Sequence, residues 1–169
     1  LDLDRLGSRI EALLVLARLR AGTPLAEPLD LPAVARDIVM DRAPRAAAAG
    51  CDLALEATVP AVLLADRALV ETAVANLVDN AIAHAGSGAC ILVRVPQPGI
   101  IEIVDDGRGI PSDRRDHLLQ PFSRGSEAGQ LGLGLALVGE AVAAMGGRLD
   151  LVETPGGGTT ARIRFADPA

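Results

Sequence analysis

The sequence predicts an α/β two-layer sandwich, with helices on one face of a mixed or antiparallel sheet. Three observations carry that expectation. Residues 66–83 are an uninterrupted Ala-rich stretch opened by Asp66, a residue suited to a helix N-cap. Two pairs of short segments, 89–95 with 99–105 and 147–153 with 159–165, flank Pro- and Gly-containing turns and read as joined strands. Half of the 169 residues are apolar, enough for one packed domain. Because Phe122 and Phe165 are the only aromatic residues, the core must be built from Leu, Val, Ile and Ala.

The elements follow in order. Residues 3–21 read as a helix whose Leu3, Leu6, Ile10, Leu13 and Ala17 keep a 3-4-3-4 spacing, the seam of a helix bundle. Gly22 stands where a helix C-cap belongs. Thr23 to Pro32 carries Pro24, Pro28 and Pro32, so it should be extended, as an edge strand or a linker. That places a boundary near residue 23, dividing the chain into 1–22, the end of a bundle helix, and 23–169, the main domain. A helix at about 33–49 has Pro44 inside it as an expected kink. Strands are expected near 52–58 and 61–65, then the 66–83 helix, then a hairpin around Pro96–Gly99. Gly107 to Gln130, rich in Gly, Ser, Asp and Arg, has little apolar periodicity and reads as a long loop of the kind that forms functional lids. A helix at 133–145 and two strands joined across Pro155–Gly158 complete the domain.

Composition narrows the function. All 16 basic residues are Arg and the net charge is −6, which leaves no basic face for a phosphate backbone and argues against nucleic acid. No run of 18 apolar residues exists, so no membrane span is expected, and no signal peptide is visible. The chain opens with Leu1 rather than Met, so a piece of a longer protein is expected. Cys51 and Cys90 lack metal-ligand spacing and read as thiols of a reducing compartment.

Three clusters carry candidate chemistry. Asn76 and Asn80 are the only asparagines, and their spacing of four places both amides on one helix face. Neither sits at a turn, and mid-helix Asn is mildly unfavourable, so either a capping role or a ligand role must account for them. Val104–Pro111 (VDDGRGIP) is a strand that ends in a carboxylate, Asp105, and turns through Gly107 and Gly109. Glycines let backbone approach a flat ligand, and a strand-end carboxylate can accept from an exocyclic amine, although a plain tight turn has the same pattern. Gly132-Leu133-Gly134-Leu135 opens a helix, where free N–H groups make an anion site. A dinucleotide fingerprint fails there on the spacing and on the missing strand before it, and a Walker-type loop fails because the chain has no Lys.

Taken in order, these clusters resemble the GHKL, or Bergerat, nucleotide-binding fold, and most closely the catalytic ATP-binding (HATPase_c) domain of a bacterial two-component sensor histidine kinase. Asn76–Ala81, Val104–Pro111, Gln120–Gly125 and Leu131–Val138 look like that family's N, G1, F and G2 boxes, and the Gly157-Gly158-Thr159-Thr160 turn also fits. The resemblance covers residues 24–166, with Leu3–Gly22 like the tail of the dimerisation helix that precedes the domain. It implies that Asp105 binds the adenine amine, with Gly107 and Gly109 allowing close approach, and that Ile110 and Thr160 are also among the nucleotide-binding residues. Asn80 would hold Mg²⁺, and Asn76 and His84 would lie along the nucleotide. Phe122 and Arg124 would come from the lid, and Gly132, Leu133, Gly134 and Leu135 would meet the phosphates. Asn76 and Arg124 are the residues expected to assist transfer.

The implied activity is donation of the ATP γ-phosphoryl group to a histidine on a separate dimerisation domain, for relay to a response regulator. The implied location is cytoplasmic, with the full-length protein anchored in the inner membrane. Relatives that hydrolyse ATP place Glu where this chain has Asn76, and an amide cannot accept a proton from water. Three departures from the family pattern stand out: Ala83 where a cation is usual, His84 where an aromatic is usual, and Gln130 at the first G2 glycine. His84 and His117 are the only histidines, and neither lies on a seam-patterned helix, so the phosphoacceptor is expected elsewhere. Two other readings stay open, a nucleotide-binding regulatory module without transfer activity and a GHKL-type ATPase.

Overall fold

The computed structural model describes residues 22, 24–112, 115 and 131–166, with backbone alone for 131–134. The expected helix at 3–21 and the lid positions Phe122, Arg124 and His117 lie outside the described residues. The elements are β1 (Glu27–Asp30), α1 (Leu31–Ala48), β2 (Asp52–Glu56), β3 (Val62–Ala65), α2 (Arg67–His84), β4 (Cys90–Gln97), β5 (Ile100–Asp105), α3 (Leu131–Ala144), β6 (Arg148–Glu153) and β7 (Thr159–Arg164). Five strands form one sheet in the order β2-β4-β5-β7-β6; β2 runs parallel to β4 and the other neighbours are antiparallel. The mixed sheet is therefore the one expected.

Local chemistry sets the helix starts. Asp30 caps α1 by accepting from the Ala33 N–H at 3.4 Å, with Pro32 in the first turn, where its missing N–H costs nothing. Asp66 caps α2 in the same way, accepting from the Leu69 N–H at 3.2 Å. Pro44 stays inside α1, which runs on to Ala48.

The segments expected at 52–58 and 61–65 are strands, but they separate. β2 joins the main sheet as an edge strand, whereas β3 pairs with β1 in a two-stranded ribbon. Nothing local distinguishes them; the partner does, because β2 completes its hydrogen bonds on β4, across the whole length of α2.

Period-two alternation places Ile91, Val93 and Val95 of β4, Ile101 and Ile103 of β5, and Ala161 and Ile163 of β7 in the core. Val70, Val74, Leu77 and Val78 of α2 pack on this layer, and Leu69 meets Leu137 and Ala141 of α3. At about 25 cal/mol per Å² of apolar surface, burying each such Leu or Ile stabilises the fold by about 2 kcal/mol before entropy is counted. Among the described residues no helix is long and apolar enough to cross a membrane.

Candidate functional site

The candidate groups lie on α2, at the end of β5 and at the start of α3, and α2 packs against both of the other elements. On α2, Asn76 and Asn80 stand one turn apart, as their spacing requires. Asn76 Nδ2 donates to the Thr72 carbonyl at 2.8 Å, a back-bond that fixes the amide. Asn80 Nδ2 is buried and has no hydrogen-bond partner among the described residues. An orphaned donor of this kind costs about 1–3 kcal/mol, so it marks a place where the fold leaves a polar group to be satisfied from outside. The neighbouring Asp79 turns to α1 instead, where Arg42 Nε and Arg45 Nη1 reach it at 3.1 and 2.8 Å. His84 ends the helix half-buried; burial first, and the positive charge of Arg108 second, push its pKa down and favour the neutral imidazole.

Asp105 closes β5 with 8% of its surface exposed. Its carboxylate accepts from the Gly107 N–H at 3.0 Å and from the Thr159 N–H. Burial raises its pKa above the usual carboxylate range, the two N–H bonds oppose that, and the adjacent Asp106 adds to it. Asp105 has no basic partner among the described residues. Two backbone donors leave lone pairs on a buried carboxylate, the arrangement that accepts a further N–H from a ligand.

Gly107 and Gly109 serve different needs. A Cβ on Gly107 would stand 2.4 Å from the Ala85 carbonyl oxygen, so only glycine lets the loop lie on the end of α2. Gly109 adopts φ +70°, the left-handed region that glycine enters without strain. Ile110 packs partly buried against the core, and its carbonyl accepts from Arg115 Nε at 2.7 Å.

Leu131 to Gly134 form the first turn of α3, whose N–H groups have no partner within the helix, while the Leu135 side chain is in the core. Gly132, Leu133, Gly134 and Leu135 can therefore serve a ligand through the main chain. Thr160, expected among the nucleotide-binding residues, does not share the face of Asp105. Alternation on β7 turns its side chain to the other face of the sheet, where its hydroxyl lies 3.0 Å from that of Thr154. Its neighbour Thr159 shares the face of Asp105 and supplies the N–H bond to it. The sequence held both threonines, and only the register decides between them.

Residues 65–169 match the family model of histidine kinase-, DNA gyrase B- and HSP90-like ATPases. TcrY of Mycobacterium tuberculosis, described as a probable sensor histidine kinase, is 35% identical over 92% of this chain, which spans 34% of that relative. The sensor-type histidine kinase PrrB of the same organism is 34% identical over 99% of the chain, which spans 39% of its length. The solved ATP-binding domain of PrrB superposes with a TM-score of 0.68 at 25% identity, covering 86% of this chain and 99% of that domain. The chain thus spans less than half of the length of these curated relatives.

Proposed function

This chain belongs to the family of histidine kinase-, DNA gyrase B- and HSP90-like ATPases, and from that premise we propose that it binds Mg-ATP and donates the γ-phosphoryl group to a histidine on a separate dimerisation domain. The observation that carries the reading is the buried Asn80 Nδ2, a donor without a partner among the described residues that a phosphate oxygen would satisfy, one turn from Asn76. With Nδ2 turned to phosphate, the Asn80 amide oxygen fits a small, strongly hydrated cation, together with the ligand's own phosphate oxygens and water. Asn80 would hold the metal, which, when bound, offsets negative charge on the β- and γ-phosphates.

The chain's own residues do the rest. Asp105 accepts from the exocyclic amine of adenine, and Thr159 holds that carboxylate in place from the neighbouring strand. The turn at Gly107–Gly109 gives the base a close backbone wall. The first-turn N–H groups of α3 and the Arg124 guanidinium hold the phosphates, while Asn76 steadies the triphosphate side. Phosphoryl transfer asks mainly for positioning and charge stabilisation, which these groups supply without a general base. The incoming nucleophile is a neutral imidazole nitrogen of the dimerisation domain, and the leaving group is the β-phosphate oxygen of ADP. Asn76 stands against an ATPase, since an amide cannot take a proton from water. In this reading residues 1–22 are the end of the dimerisation helix, 23–169 are the catalytic domain, and a response regulator receives the phosphoryl group.

Thermal unfolding with a non-hydrolysable ATP analogue, with and without Mg²⁺, tests the site. A ligand at 100 times its Kd adds about 2.7 kcal/mol, worth about 5–10 °C at this size. The expected result is a Mg-dependent shift that Asp105→Asn and Asn80→Ala both remove. Addition of a matching histidine-bearing bundle then tests transfer: acid-labile phosphate on that bundle is expected, and its absence alongside intact ATP binding would favour a regulatory module.

A further inference from the structure

We propose that Arg108 holds the phosphates of the bound nucleotide, acting as the positioning cation at the mouth of the site on the α2 side; this rests on the nucleotide-binding reading above. Geometry fixes where residue 108 stands. Gly107 lies directly on Ala85, too close to allow a Cβ, and Gly109 turns back under Gly158, whose carbonyl oxygen is 3.1 Å from its Cβ position. Residue 108 is thus the tip of a loop clamped on both sides and seated against the last turn of α2. Its side chain is exposed, and its charge is felt by half-buried His84, one turn beyond Asn80. One helical turn is about 5.4 Å, within the reach of an arginine arm, so a guanidinium placed here can meet phosphates gathered at Asn80.

The surrounding charge explains why it is needed. Asp105 and Asp106 make this end of the site acidic, Asp79 is taken up by Arg42 and Arg45, and α2 offers Ala83 where a cation could have stood. Among the described residues, Arg115, the other arginine near the loop, is committed to Glu153 at 3.1 Å and to the Ile110 carbonyl. Among the described residues Arg108 has no ion pair, and its exposed side chain can turn to an anion from outside. A guanidinium suits that task because it offers phosphate oxygens two parallel N–H bonds.

The test is calorimetric titration of the chain with adenosine, ADP and ATP in the presence of Mg²⁺, at two salt concentrations, for the wild type, Arg108→Gln and Arg108→Lys, alongside Asp105→Asn. The expected result for Arg108→Gln is about tenfold weaker ATP binding, unchanged adenosine binding and a shallower salt dependence, with Arg108→Lys recovering part of the loss. Equal losses for adenosine and ATP would overturn the proposal, because the side chain would then act on the base. Unchanged affinities with a lower melting temperature would also overturn it, leaving Arg108 as a cation at the C-terminal end of a helix. Wild-type protein that binds no nucleotide would instead remove the underlying reading. If the wild type binds and Asp105→Asn does not, an unaffected Arg108→Gln sinks this proposal alone.

Discussion

Asn80 has opposite consequences for folding and for ligand binding. Its buried donor has no protein partner, and Asn is a poorer helix former than Ala, so Asn80→Ala should stabilise the free protein by about 1 kcal/mol in urea unfolding while removing the Mg-dependent nucleotide shift. Loss of stability in the free state would mean that the amide is satisfied within the fold after all. Asp105 makes a comparable trade through charge. Its folded pKa lies above the unfolded value, so the folded state retains the proton longer and stability falls as pH rises through the unfolded pKa toward the raised folded one. Asp105→Asn should therefore flatten the pH dependence of the urea midpoint from about pH 4 upward, and the wild-type-minus-variant difference should be most negative at neutral pH. The two threonines show what the sequence could not tell at this scale. Asp105 was legible as a strand-end carboxylate, but Thr159 and Thr160 differ only by which face of β7 they occupy, and that depends on a register set by β5.

Across the open face of the sheet, one side chain per strand forms a row of alternating charge. Glu56 stands opposite Arg94, Arg94 opposite Glu102, Glu102 opposite Arg162, and Arg162 opposite Asp150. Glu102 at the centre has a side chain only 4% exposed and is bonded by both Arg94 and Arg162. Burial alone would raise its pKa, but the hydrogen bonds and charges of the two guanidinium groups outweigh it and hold the carboxyl below its ordinary range. A depressed carboxylate contributes stability that is complete above the unfolded pKa and is lost as pH falls through the folded one. Glu102→Gln should cost about 2 kcal/mol at pH 7 and progressively less in acid, read from urea midpoints between about pH 3 and 7. Most elements themselves were legible: caps at Asp66, alternation in the 89–95 and 99–105 segments, and Ala-rich helical runs all act locally. Strand partnership was not. β2 and β3 are sequence neighbours with similar composition, yet one pairs in parallel with β4 and the other joins β1, because pairing is decided by what the intervening helix brings alongside.

At the scale of the molecule, the turn between β6 and β7 reaches back over the carboxylate end of β5. A Cβ on Gly158 would stand 2.0 Å from the Asp105 carbonyl oxygen, and the residue adopts φ +95°. Gly158→Ala should cost about 2–4 kcal/mol and abolish nucleotide-dependent stabilisation, whereas Gly156→Ala, with open space around its Cβ, should cost only its backbone strain. Comparison of the two melting curves with and without nucleotide separates the clash from the strain. The contact also gives the chain a timetable. Residues 76–109 supply most of the groups assigned to the base and metal, but Asp105 is completed by the N–H of Thr159, from the last strand. If the proposed nucleotide site is right, a nascent chain that has emerged only as far as Glu153 has the asparagines and the carboxylate but lacks the Thr159 N–H, and it should bind nucleotide more weakly than the complete domain. The expected outcome is that stalled chains of increasing length capture a nucleotide analogue in a single late step, when the final hairpin closes; equal capture by chains ending at Glu153 would show that the hairpin is dispensable.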